Sequence, residues 1–228
     1  MKKSVDKHSS LFLYMSVAFV SCLLLSNLIA GKLISVFGTV LPAAVILFPL
    51  TYIVGDIFTE VYGFRSARKI IWCGFACNLI AVFVYLATIA LPYPDYWTNQ
   101  DAYKIVLGTT PRIFVASLVG YLFGEFLNSV VLSKMKVVTK GKRLWLRTIF
   151  SSVIGEGFDT VIFISISFWG IFDASVIWKM MLFQYIWKLC YEAALTPLTC
   201  FVINRIKKVE GVDVYDVEEK YNPFKSSK

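Results

Sequence analysis

Three glycine–acid steps interrupt the apolar sequence: Gly55-Asp56-Ile57-Phe58-Thr59, Gly124-Glu125-Phe126-Leu127-Asn128 and Gly155-Glu156-Gly157-Phe158-Asp159. In each, the acid and a second polar residue stand three positions apart, which places both on one helical face. A carboxylate at mid-membrane depth costs about 2.5–3.5 kcal/mol on insertion scales. Several in one small chain point to a polar site between helices, and so to transport or intramembrane chemistry.

Helices must position them. The 228 residues are 57% hydrophobic with a mean hydropathy of +0.68, which excludes an ordinary soluble domain. Apolar runs predict an all-α polytopic membrane protein with six transmembrane helices, spanning about 11–31, 41–61, 70–91, 112–133, 148–171 and 176–204. Each approaches the ~20 residues needed to cross ~30 Å of hydrocarbon. Residues 1–208 then form one transporter-sized domain and 209–228 a tail, leaving no room for a soluble catalytic domain.

Most of the 23 Lys and Arg residues fall on alternate connections. These are Lys2, Lys3 and Lys7; Arg65, Arg68 and Lys69; Lys134, Lys136, Lys140, Lys142, Arg143 and Arg147; and Arg205, Lys207, Lys208, Lys220, Lys225 and Lys228. The positive-inside rule puts those connections and both termini on the cytoplasmic side of the membrane. The net charge of +8 is thus a topology signal with affinity for anionic membrane lipids, and no nucleic-acid partner is expected.

Cys22, Cys73, Cys77, Cys190 and Cys200 all fall within spans, and the single histidine is His8. No zinc spacing emerges, so neither metal nor cofactor is expected. Phe19-Val20-Ser21-Cys22 faintly resembles a lipoprotein cleavage box, but the apolar run continues past it, so a retained first helix is expected. Pro92–Pro111 is the longest outer connection. Pro42 and Pro49 flank the second span, and Pro49 should kink or interrupt it. The tail after Lys208, with Glu210, Asp213, Asp216, Glu218 and Glu219, reads as solvated and poorly ordered.

At 1.5 Å per residue, Asn78, Glu125, Glu156, Asp159, Lys188 and Glu192 fall near the membrane centre. Asn128 lies one turn deeper than Glu125. Asp56 lies about two-thirds of the way in, with Glu60 a turn closer to the cytoplasm. Bland alternatives exist: Lys188 and Glu192, at i,i+4, can neutralise each other, Lys32 and Arg112 can snorkel, and Gly120 with Gly124 suits helix packing. An acid-rich chamber favours a ligand that carries positive charge or donates hydrogen bonds. One carboxylate accepts two parallel bonds from adjacent N–H groups, as on a guanine edge. Phe58, Phe123, Phe126, Phe158 and Phe163 lie near the acids in sequence and offer stacking faces, although most of the 19 phenylalanines must pack or face lipid. Proton or cation binding is equally permitted.

The stretch Phe48-Pro-Leu-Thr-Tyr-Ile-Val-Gly-Asp-Ile-Phe-Thr-Glu-Val-Tyr-Gly63 resembles the signature of the queuosine-precursor transporter family, also called the vitamin-uptake-like family. Asn27, Lys32, Ala116-Ser117, Gly124 to Asn128, Arg147, Gly155 to Asp159 and Lys188 to Pro197 extend the resemblance from the first helix to the sixth. It implies import of a 7-deazaguanine such as preQ0 or preQ1 for tRNA-modification salvage. It also implies a fold similar to the substrate-binding subunits of energy-coupling-factor transporters. On it, Asp56, Glu60, Glu125, Asn128, Glu156, Asp159 and Lys188 are candidate site residues. With Asn78 and Glu192 added from their depth, Glu125, Asn128, Glu156, Asp159, Asn78 and Lys188 are expected to bind substrate, and Asp56, Glu60 and Glu192 to serve gating or proton coupling.

Three other readings compete. A binding subunit for another vitamin-like solute would need a separate ATPase module, since the chain carries no Gly-x-x-x-x-Gly-Lys-[Ser/Thr] loop; a homo-oligomer stays open. An intramembrane enzyme is disfavoured by the lack of a His/Cys metal set or Ser/His arrangement. The third is a scaffold whose acids only specify helix packing.

Overall fold

The computed structural model describes residues 9–36, 38–108, 111–217, 219 and 221–224. Lys2, Lys3, Lys7 and His8, and Glu218, Lys220, Lys225 and Lys228 of the tail, lie outside them. The elements run α1 (Ser10–Ile29), β1 (Leu33–Val36), β2 (Thr39–Pro42), a 3-10 turn (Ala43–Ile46), α2 (Phe48–Tyr62), α3 (Phe64–Ala90), α4 (Gln100–Leu107), α5 (Pro111–Val138), α6 (Leu144–Phe168) and α7 (Ala174–Glu210).

Among the described residues, five stretches are long and apolar enough to cross a membrane: α1, α3, the run from α4 through α5, α6 and α7. The protein is an all-α polytopic membrane protein with one small antiparallel hairpin. Its outer faces carry large apolar side chains such as Phe83, Phe123, Phe158, Trp178 and Phe201, as lipid contact requires.

The second expected span differs. Residues 41–61 do not form one continuous helix: β2 ends at Pro42, the 3-10 turn follows, and α2 starts at Phe48 with Pro49 in its first turn. Pro49 therefore initiates a helix, a position where its missing N–H costs nothing. At 15 residues, α2 rises only about 22 Å, short of the hydrocarbon thickness. It is buried nearly all round against α1, α3, α5 and α7. Phe58 and Tyr62 of α2 meet Phe12 of α1 edge-on at 5.1 and 5.0 Å, a favoured ring geometry.

The tail also differs from expectation, because its acids meet partners from distant segments. Asp216 Oδ2 accepts hydrogen bonds from Phe64 N (2.8 Å) and Ser133 Oγ (2.6 Å). The first satisfies an orphan N–H at the start of α3. Arg68 donates to Asn222 O at 2.7 Å and Trp72 to Pro223 O at 2.8 Å. Gly63, at φ +82°, permits the close approach: a Cβ there would stand 2.8 Å from Val214 and 2.9 Å from Asp216. The tail is a docked strap across the ends of α2, α3 and α5.

Candidate functional site

The three glycines that precede the acids are approach points for one another's side chains. A Cβ on Gly55 would collide with the Glu125 carboxylate. One on Gly124 would overlap the Tyr52 hydroxyl and stand 2.7 Å from Asp159 Cβ and 2.8 Å from Gly155 O. A Cβ on Gly155 would stand 2.6 Å from Asn128 Cβ. The three sequence steps thus mesh where α2, α5 and α6 converge, with Gly120 and Gly124 letting α5 lie against α6.

At the hairpin end of this junction, Lys188 Nζ of α7 donates to Asp159 Oδ2 of α6. The ammonium also stands 5.0 Å from the Phe48 ring centroid and 5.9 Å from that of Tyr52, within cation–π range. Lys188 therefore pairs with Asp159 on the neighbouring helix, not with Glu192 on its own. Asp159 and Lys188 line a pocket with Asn27, Ser117, Phe163 and Gln184, closed by Pro42, Ala44, Val45 and Phe48. It encloses about 20 Å³, room for roughly one water, so a planar solute enters only when side chains part.

Behind the pocket, Asn128 Nδ2 donates to Asp56 Oδ1 at 2.6 Å. Glu125 and Glu156 are fully buried, and none of their four carboxylate oxygens has a hydrogen-bond partner among the described residues. Asp56, Glu125, Glu156, Asp159 and Glu192 lie close enough to act on one another electrostatically, and Lys188 lies within electrostatic reach of Glu156. Buried charges need compensation, so this buried acidic cluster suits cationic or donor-rich partners.

Glu60 belongs to a separate network at the tail end of the bundle. Its Oε1 accepts from Arg147 at 3.0 Å and Lys207 at 2.6 Å, with Lys136 at 3.7 Å. Asp213 of the tail joins the same cations, 2.6 Å from Lys136 and 2.9 Å from Lys207. Burial alone would raise the Asp213 carboxyl, but the hydrogen bonds and charges of Lys136 and Lys207 prevail and hold it below its ordinary value.

The structure thus brings Asp159 and Lys188 to a pocket wall and buries Glu125, Asn128, Glu156, Asp56 and Glu192 in the helix-packed interior. Asn78 stands outside the pocket lining: it accepts from Asn27 at 2.6 Å and donates to Gly74 O at 2.9 Å, orienting Asn27, which does line it. Of the five phenylalanines near the acids, Phe163 alone lines the pocket. Phe123 and Phe158 face outward, Phe126 packs on Phe64 and Trp72, and Phe58 on Phe12 and Phe19. Sequence reasoning did not select Gln184 or the Phe48 ring. Gln184 carries no charge to betray it, although its place one turn before Lys188 was a usable signal. No group of His, Cys, Asp and Glu among the described residues could hold a metal.

The profile of the family described as "Putative vitamin uptake transporter" matches residues 42–202. The chain is similar to a "Probable queuosine precursor transporter" of Bacillus subtilis (strain 168), 28% identical over 75% of this chain and 76% of the relative. It is also similar to the "Queuosine precursor transporter" of Escherichia coli (strain K12), 25% identical over 74% and 73% of the two chains. A third relative, a "Probable queuosine precursor transporter" of Haemophilus influenzae, is 25% identical over 54% of this chain and 49% of its own. No solved structure matches the chain.

Proposed function

The chain belongs to the family described as "Putative vitamin uptake transporter", and from that premise we propose that it imports queuosine precursors, 7-deazaguanines such as preQ0 and preQ1, for tRNA-modification salvage. The observation that carries the reading is the Asp159–Lys188 pair facing a pocket walled by Phe48 and Phe163. A carboxylate matches the two adjacent N–H donors of a guanine-like edge, and aromatic walls match its flat faces. The cargo takes the place of Lys188 on Asp159, and Lys188 passes to Glu156, which is within its electrostatic reach.

Glu125 and Glu156 supply further acceptors to the cargo. Asn128 reads the ring carbonyl when it leaves Asp56, and Asn78 acts through Asn27. Asp56 and Glu192 couple the buried acidic cluster to the tail end, where Glu60 and its cations gate release. In this arrangement six segments cross the bacterial inner membrane, with α2 and the preceding turn counted as the second. Both termini and the tail of 209–228 are cytoplasmic. The charge bias of the connections supports that orientation.

Uptake of labelled preQ0 and preQ1 into cells that depend on salvage tests the cargo. Normal uptake by a well-expressed Asp159→Asn variant would remove Asp159 from the site. Reconstitution of the lone protein into liposomes tests energy supply: entry of cargo without a partner excludes an obligatory ATPase module.

A further inference from the structure

Gln184 lies on α7 one turn before Lys188 and lines the same pocket as Asp159. It is 4% exposed, and its Oε1 is buried with no hydrogen-bond partner among the described residues. A buried acceptor left unmade is unfavourable, and here it stands at a cavity wall, where a ligand can meet it. A primary amide presents an acceptor and a donor side by side, whereas a carboxylate presents acceptors only. The two side chains therefore suit different edges of one heterocycle.

A 7-deazaguanine has one edge with two adjacent donors, the ring N1–H and the 2-amino group. With N1–H and the amino group committed to Asp159, the remaining acceptor–donor pair is N3 beside N9–H. We propose that Gln184 reads this second edge, Oε1 accepting from N9–H and Nε2 donating to N3, and so selects free bases over N9-substituted ones. This rests on the cargo being a deazaguanine held by Asp159. A nucleoside carries its sugar on N9: it lacks the donor and adds bulk where Gln184, Pro42, Ala44 and Val45 close the pocket. A site that hydrogen-bonds a substrate N–H rejects an analogue lacking it far more strongly than shape alone would.

The experiment is calorimetric binding of preQ0 and its 9-methyl derivative to the full chain in detergent. The wild type should bind preQ0 at least roughly tenfold more tightly. Gln184→Leu should weaken preQ0 by roughly tenfold and bind the two within about twofold of each other. Gln184→Glu, which keeps the acceptor and loses the donor, should weaken preQ0 but retain the preference. Thermal unfolding verifies that each variant is folded, and should Gln184→Leu not fold, Gln184→Glu carries the test. Loss of the preference in Gln184→Glu, or its persistence in folded Gln184→Leu, overturns the assignment. Equal wild-type binding of the two bases overturns it while leaving the cargo reading intact. Failure of the wild type to bind preQ0 sinks both.

Discussion

Lys188 and Asp159 form an ion pair buried on both sides, with side chains 1% and 3% exposed, in a neighbourhood that also holds Asp56, Glu125, Glu156 and Glu192. The pair is asymmetric. Removing the Asp159 charge leaves Lys188 within electrostatic reach of Glu156, whereas removing Lys188 takes the cation that pairs with Asp159 away from the acids. Lys188→Met should therefore destabilise the protein on the order of 3–5 kcal/mol, and Asp159→Asn by clearly less. Thermal unfolding in detergent ranks them, and uptake should fall in both. Equal unfolding temperatures would show that Lys188 is not the shared counter-charge.

The meshed glycines separate packing from positioning. In Gly55→Ala the new methyl meets the end of the flexible Glu125 side chain, which can swing away. In Gly124→Ala it meets the Tyr52 hydroxyl, Asp159 Cβ and the backbone oxygen of Gly155, which yield only if α5 and α6 separate. Gly124→Ala should cost about 1–3 kcal/mol. Gly55→Ala should cost less, yet lower cargo uptake by displacing Glu125. Denaturation and uptake measured on the same preparations give both numbers.

Much of this arrangement was legible in the sequence because burying charge is expensive: Asp56, Glu125, Glu156 and Asp159 stood out against apolar neighbours, and they do converge. The long helices were legible from apolar length, although α3 begins at Phe64 and α7 continues to Glu210, where charged side chains end the apolar signal before the hydrogen bonding ends. The second segment breaks into a 3-10 turn and a shorter helix where one continuous helix is expected, because an apolar run alone does not mark where helical hydrogen bonding starts; Pro42 and Pro49 were the hints. The tail read as solvated because Asp216 and Asp213 find partners at Phe64, Ser133 and Lys136, far away in sequence.

Among the described residues, Glu60 pairs with Lys136, Arg147 and Lys207, and Asp56, Glu125, Glu156, Asp159 and Glu192 form no ion pair with them. Glu60→Gln leaves Lys136, Arg147 and Lys207 crowded around a neutral amide, so stability should drop on the order of 3 kcal/mol. It lines no part of the pocket, so the affinity for preQ0 should hold within about twofold while the uptake rate falls. A tenfold loss of affinity would place Glu60 in the recognition site instead.

The tail strap has a pH signature set by Asp213. Its carboxyl is held below the ordinary value of about 3.9 by Lys136 and Lys207 in spite of partial burial. For an acid depressed in the docked state, the contribution to docking is complete above the ordinary value and disappears as pH falls through the depressed one. Docking should therefore be flat between neutral pH and about pH 5 and loosen only below about pH 4. Val217, 72% exposed, is a suitable place for an environment-sensitive label, introduced as Val217→Cys in a background lacking the five native cysteines. Its signal should change only in the acid range. In Asp213→Asn it should already report a loosened strap at neutral pH, because the charge that Lys136 and Lys207 share is gone. A midpoint near pH 6 in the parent protein would assign control of the strap to a different group.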